Sequence, residues 1–179
     1  SVTSFFRDPQ AFAALQKEGL RPLLEAREHG GSFRVWVPGC ATGEEAYSLA
    51  ILTRESLDEL GRHLEVQIFA TDIDEEAIEQ GRQGRYPEGI AASVDPGRLE
   101  RFFVHEEGEY RIKKKVREMV VFARQNVAQD PPFTKIDLLS CRNLLIYLGA
   151  ELQQKLLPLF HFALKPDGLL FLGTAETAG

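Results

Sequence analysis

Apolar positions along the chain follow alternating rhythms, and each change of rhythm predicts an element. After Asp8-Pro9, a capping residue followed by a proline suited to a first helical turn, Phe12, Leu15, Leu20, Leu23 and Leu24 predict an amphipathic helical lead-in ending near Gly30-Gly31. Phe33-Arg34-Val35-Trp36-Val37 is β-branched and aromatic and breaks at Pro38-Gly39, as a strand entering a loop does. Beyond Gly43, the residues Ala46, Leu49, Ala50, Thr53, Leu57 and Leu60 return to helical spacing, with Glu44 and Glu45 in the first turn. A second strand, Val66 to Thr71, closes at Asp72, and Asp74 caps a short helix around Ile78.

Residues 86–117 interrupt this alternation with Pro87, Gly89, Pro96-Gly97 and the polar turn Glu106 to Glu109, which predicts an inserted small β element. Strands then follow at Val120 to Ala123, Ile136 to Ser140 and Leu169 to Gly173. Between the last two lies a helix with Leu152, Leu156, Leu159, Phe160 and Ala163, in which Pro158 predicts a kink or a boundary. Near-continuous apolar strands separated by helices predict an α/β fold whose mainly parallel sheet is covered on both faces. Ligands of such sheets gather at the carboxyl ends of the strands. The expected organisation is a lead-in over 1–31 and a core over 32–179, with the insertion at about 86–117.

Composition narrows the classes. The 179 residues suffice for one hydrophobic core, and the net charge of -6 argues against nonspecific binding to nucleic acid or an anionic membrane. No apolar run reaches the roughly 20 residues that span a bilayer, and no signal peptide opens the chain, so a cytoplasmic location is expected. Cys40 and Cys141 lie far apart without a CxxC partner, which predicts buried reduced thiols. His29, His63, His105 and His161 form no metal-ligand pair, so no metal site is expected.

The loop Pro38 to Glu45 follows the first strand, where small residues such as Gly39 let backbone approach a ligand. Its spacing is neither GxGxxG nor a phosphate loop, and Glu44 and Glu45 would repel a pyrophosphate at the helix N-terminus. S-adenosylmethionine, with a sulfonium and an ammonium, meets this electrostatic condition, whereas stabilisation of the helix dipole is the plainer reading of both acids. Asp72, at the end of the second strand, suits ribose hydroxyls or a helix cap. Gln125 and Asn126 after the third strand are placed to read an adenine edge, and Arg142 and Asn143 after the fourth stand beside the cofactor cleft or in a sheet-edge salt bridge. The run Arg111, Lys113, Lys114, Lys115 and Arg117 reads as a solvated face or a dock for an acidic partner.

Four ordered segments, Thr3 to Asp8, Trp36 to Ser48, Phe69 to Asp74 and Cys141 to Tyr147, together resemble the chemotaxis receptor glutamate O-methyltransferases of the CheR type. Tyr86 to Ile90 and Asp130 to Phe133 are similar to the branch fused to methylesterase and sensory domains. The resemblance implies a Rossmann-like class I S-adenosylmethionine-dependent methyltransferase that esterifies glutamate side chains on chemoreceptor cytoplasmic helices. Cofactor contacts carried over by the motifs are Thr3, Arg7, Glu44, Asp72, Asn126, Val127, Arg142 and Asn143, with Gly39 in the loop. It also implies that the insertion is the small β subdomain that binds a receptor tail peptide in some members. Departures from the family pattern are Ser1 in place of an asparagine and Thr174-Ala175-Glu176 in place of a Ser-Glu pair. The family's preceding helical domain and following strands are absent, so the sequence reads as a truncated core.

A glutamate carboxylate, with a pKa of about 4.3, is already nucleophilic near neutral pH and needs no general base. Catalysis then rests on alignment, and Arg142 and Asn143 are expected to line the acceptor pocket. The alternatives are a catalytically weak S-adenosylmethionine sensor or scaffold, a nicotinamide oxidoreductase, and a nucleic-acid methyltransferase suggested by Asp130-Pro131-Pro132-Phe133. That tetrapeptide precedes the fourth strand instead of ending it and reads as a turn.

Overall fold

The computed structural model describes residues 3–142, 144 and 148–173. Helix α1 (Pro9–Ala14), a π-helical stretch (Leu15–Leu20) and α2 (Arg21–Glu25) run on as one lead-in. Within the widened stretch, Gly19 permits a close approach: a Cβ there would lie 2.5 Å from the Leu169 side chain. The remaining α-helices are α3 (Glu44–Leu60), α4 (Glu75–Gln83), α5 (Pro96–Phe102), α6 (Lys114–Arg117) and α7 (Ala150–Ala163), and a 3-10 turn spans Glu88–Ala92.

The main sheet consists of β1 (Ser32–Pro38), β2 (Glu65–Asp72), β6 (Val120–Arg124), β7 (Ile136–Ser140) and β8 (Leu164–Phe171). Its order is β6-β2-β1-β7-β8 and every pairing is parallel, so the chain winds outward from β1 in both directions. This is the doubly wound arrangement whose switch point lies between β1 and β7. Period-two alternation covers both faces. Phe33, Val35 and Val37 of β1 enter the core shared with the lead-in and α3, while Trp36 enters the core under α7 with Leu139 and Phe160.

A second, antiparallel sheet has the order β3-β5-β4, from β3 (Arg85–Pro87), β4 (Phe103–Glu106) and β5 (Glu109–Ile112). Glu107 and Gly108 join β4 to β5 with φ of 50° and 76°, the paired positive values of a tight hairpin turn. The small sheet docks through aromatic edges: Phe5 meets Tyr86 at 4.9 Å and Phe103 at 5.5 Å between ring centroids.

Two expectations change. Strand β8 begins at Leu164, five residues before the expected Leu169, because Leu164 pairs with Ile136 and Leu169 with Leu138 around an irregularity. Lys165 and Asp167 in this irregular stretch contribute to an ionic knot around Asp137, which is fully buried on β7. Arg27 contacts Asp137 at 2.5 Å and Asp167 at 2.8 Å, Lys165 reaches Asp137 at 3.1 Å, and the Arg34 amide donates to Asp137 at 2.8 Å. Pro158, for its part, marks no boundary, since α7 continues through it to Ala163.

Candidate functional site

The loop between β1 and α3 turns on left-handed backbone at Gly39 (φ 69°), Ala41 (φ 50°) and Gly43 (φ 98°). Gly43 is also a packing requirement, because a Cβ there would lie 2.9 Å from Phe122 and 3.0 Å from the Tyr86 hydroxyl. Asp72, ending the neighbouring strand β2, closes this loop from outside: one carboxylate oxygen accepts from the Ala41 amide at 2.8 Å and the other from the Asp74 amide at 3.0 Å. Each oxygen retains a second acceptor site. Asp74, as expected, caps α4 by accepting from the Glu76 and Ala77 amides.

Beside this carboxylate lies a cleft of about 250 Å³ whose walls include Gly39, Asp72, Asn126, Val127, Leu144 and Leu152. The fold thus brings together four of the expected residues, Gly39 after β1, Asp72 after β2, and Asn126 and Val127 after β6. The Asn126 side chain accepts from the Ala128 amide at 3.0 Å, which fixes its carboxamide orientation.

Thr3 and Glu44 meet in a separate cavity of about 350 Å³, together with Phe5, Gln80, Tyr86 and Ile90. Thr42 donates its hydroxyl to the Glu44 carboxylate, but burial outweighs that bond and raises the Glu44 carboxyl above its usual range. Thr3 Oγ1 is buried and has no hydrogen-bond partner among the described residues. Ser48 holds the segment carrying Thr3 and Arg7 against α3, accepting from the Phe6 amide at 2.9 Å and donating to the Glu44 carbonyl at 2.7 Å.

Arg142 is placed differently from these residues. It is buried, with its guanidinium against the rings of Phe12 at 4.8 Å and Phe171 at 4.7 Å, which themselves meet edge to face at 5.6 Å, and it lines neither cavity. Its Nη2 donates to the Arg7 carbonyl and its Nε lies 3.6 Å from the Glu45 carboxylate. Glu45 also accepts from the Ser140 hydroxyl at 2.8 Å. Burial raises the Glu45 carboxyl, opposed by the charge of Arg142, the Ser140 bond and the charge of Arg7. Asn143, Ser1 and Thr174-Ala175-Glu176 lie outside the described residues.

In the sequence Glu44 and Glu45 form one acidic first turn with a shared electrostatic role toward the ligand, and Ser48 carries no separate role. Consecutive helical residues point about 100° apart, so two adjacent acids on a helix that begins at the sheet edge cannot share one environment. That geometry was a usable signal for Glu45. The two thiols, Cys40 and Cys141, are free and buried, and burial pushes the Cys40 thiol well above its ordinary range, with Asp72 adding to the effect.

These features fit an adenosyl cofactor. Leucine and valine side chains wall the cleft around Asp72, and Gly39 keeps it open, since a Cβ there would meet Leu144 at 3.0 Å. The family model described as "CheR methyltransferase, SAM binding domain" matches residues 1–179, where SAM is S-adenosylmethionine. The chain belongs to the CheR methyltransferase family.

Similar proteins agree with that membership. A chemotaxis protein methyltransferase of Escherichia coli is 36% identical over 188 residues, covering 98% of this chain and 60% of that protein. An uncharacterised 104.1 kDa protein of Rhodobacter capsulatus is 46% identical over 175 residues, covering 98% of this chain and 18% of that one. The chain therefore spans about 60% of the E. coli methyltransferase and a smaller part of the R. capsulatus protein. Among solved structures, PKMT2 of Rickettsia typhi in complex with AdoHcy superposes with a TM-score of 0.53 at 15% identity, covering 96% of this chain and 26% of that one. At that identity the likeness concerns the fold, a parallel-sheet α/β methyltransferase core. The small antiparallel sheet accompanies that core here.

Proposed function

We propose that this domain methylates glutamate side-chain carboxylates on chemoreceptor proteins in the cytoplasm, using S-adenosylmethionine and giving glutamyl methyl esters. The observation that carries the reading is the convergence of Gly39, Asp72, Asn126 and Val127 on one cleft at the carboxyl ends of the strands, in a chain of the CheR family. The E. coli relative, named as a chemotaxis protein methyltransferase, supports the receptor as substrate.

The bound cofactor supplies a methyl group activated on a sulfonium. In this reading Asp72 accepts from ribose hydroxyls, Asn126 and Val127 hold the adenine edge, and Gly39 admits the ligand against backbone. The β1–α3 loop, through Gly39 and Glu44, borders both cavities, and in this reading the cofactor's positive end lies toward the second, where Glu44, when ionised, favours it and Thr3 offers its buried hydroxyl. The acceptor glutamate is ionised near neutral pH, so the protein's task is to align it and exclude water. Arg142 is assigned a positioning role, holding the Arg7 backbone from within the protein, while Asn143 keeps the role implied by the resemblance. The exposed edges β3 and β4 of the small sheet suit an added extended strand, which supports docking of a receptor tail peptide there.

The test is transfer of a labelled methyl group from S-adenosylmethionine to a receptor cytoplasmic fragment. Label released as methanol by mild alkali, and lost when the acceptor glutamates are changed to alanine, supports the reading. Alkali-stable label, or none, overturns it.

A further inference from the structure

Part of the basic run noted in the sequence is exposed and borders one concavity. Lys113, Lys114 and Lys115 converge with Arg54 of α3 and Arg101 of α5 on a groove of about 740 Å³. Among the described residues, only Asp58 and Glu118 oppose these five cations along its walls, in a chain of net charge -6. Asp58 is already paired with Arg101, and Glu118 lies 3.7 Å from Lys114. Arg54, Lys113 and Lys115 have no carboxylate partner among the described residues. The buried side chains of Phe102 and Val116 supply an apolar floor.

We propose that this groove is a docking site for a carboxylate-rich polypeptide segment of a partner protein, separate from the methyl-transfer site. Arg54 lies ten residues beyond Glu44 on α3, about 15 Å along the helix axis. Lys113 is extended backbone and Lys114 and Lys115 open α6, so the three consecutive lysines line the groove at successive positions along the chain. A phosphate site concentrates donors on one centre, whereas these five cations line a groove of about 740 Å³. An extended acidic segment satisfies the separated cations while laying its aliphatic stems on Phe102 and Val116.

The experiment is an anisotropy titration of the chain into a fluorescein-labelled glutamate-rich decapeptide at low and high salt. Saturable binding that weakens with salt, falls at least about tenfold in Lys113→Glu/Lys115→Glu and in Arg54→Glu, and is unchanged in Lys155→Glu supports the proposal. Lys155 is exposed on α7, away from the groove, and binding of S-adenosylhomocysteine serves as the folding control for all variants. Absence of saturable binding by folded protein, or equal weakening by Lys155→Glu, overturns the proposal. So does displacement of the peptide by inorganic phosphate where chloride of equal ionic strength has no effect, since that result assigns the groove to a phosphate ligand. None of these readouts depends on methyl transfer, so failure here is distinguishable from failure of the proposed activity.

Discussion

Glu45 and Arg142 meet inside the protein, 3.6 Å apart, with side chains 2% and 4% exposed. The pair joins the first turn of α3 to the end of β7, and through the Arg7 carbonyl it also reaches the N-terminal segment. The segment bearing Thr3 and Arg7 is therefore seated by the same buried charges that hold the β7 loop.

Breaking this pair from one side leaves an uncompensated buried charge. Glu45→Ala is expected to destabilise the fold by about 3–5 kcal/mol, measured by urea unfolding. Glu45→Gln is expected to cost less and to show a pH signature. The folded Glu45 carboxyl is raised, so the folded state holds its proton more tightly than the unfolded state does. Its contribution is most favourable below the ordinary carboxyl value of about 4.3 and is lost as pH rises through the raised folded value. The stability gap between wild type and Glu45→Gln should narrow across that rise. A gap independent of pH would show that the carboxyl does not titrate differently on folding.

Ser48→Ala removes the buried acceptor of the Phe6 amide without touching either cavity wall. The expected cost is about 1–3 kcal/mol, concentrated in the segment before α1. Faster hydrogen exchange at Phe6, with little change in α3, is the predicted pattern. Uniform acceleration across the domain would instead make Ser48 part of the general core.

Gly43→Ala combines an unfavourable φ of 98° with a Cβ 2.9 Å from Phe122. Strain and overpacking each cost about 1–3 kcal/mol, so a clear fall in melting temperature is expected. Gly61→Ala provides the contrast, because its φ is 64° but no atom lies within 4 Å of the added Cβ. The Gly61 variant should lose less.

Much of this architecture was legible in the sequence because the strands carry continuous apolar runs and the loops carry glycine and proline punctuation. The β1 loop, Asp72 and the Asn126-Val127 turn could be placed at strand ends from periodicity alone, and that placement brought them to one cleft. The early start of β8 was hidden because Lys165-Pro166-Asp167-Gly168 reads locally as a turn, while its ladder position depends on the Asp137 knot and on Leu164 facing Ile136. Arg142 looked like a pocket residue because strand-end loops host ligands. Two aromatic rings brought together from the lead-in and β8 bury it, and no local pattern reports such contacts.

Glu44 gives the cofactor reading a pH dependence. Burial raises its carboxyl, so protonation removes a negative charge at a pH above the usual carboxylate range. Affinity for S-adenosylmethionine should therefore rise with pH through that raised value and then level off, and Glu44→Gln should flatten the rise. An unchanged profile in Glu44→Gln would remove this carboxylate from cofactor recognition.

The most direct test of the cofactor site is calorimetric titration with S-adenosylhomocysteine, with NAD as the comparison ligand, on wild type and Asp72→Ala. The account predicts micromolar binding of S-adenosylhomocysteine, none of NAD, and a loss of about tenfold or more in Asp72→Ala, as expected for hydrogen bonds to a charged group. Equal affinity in wild type and Asp72→Ala, or preference for NAD, would contradict it.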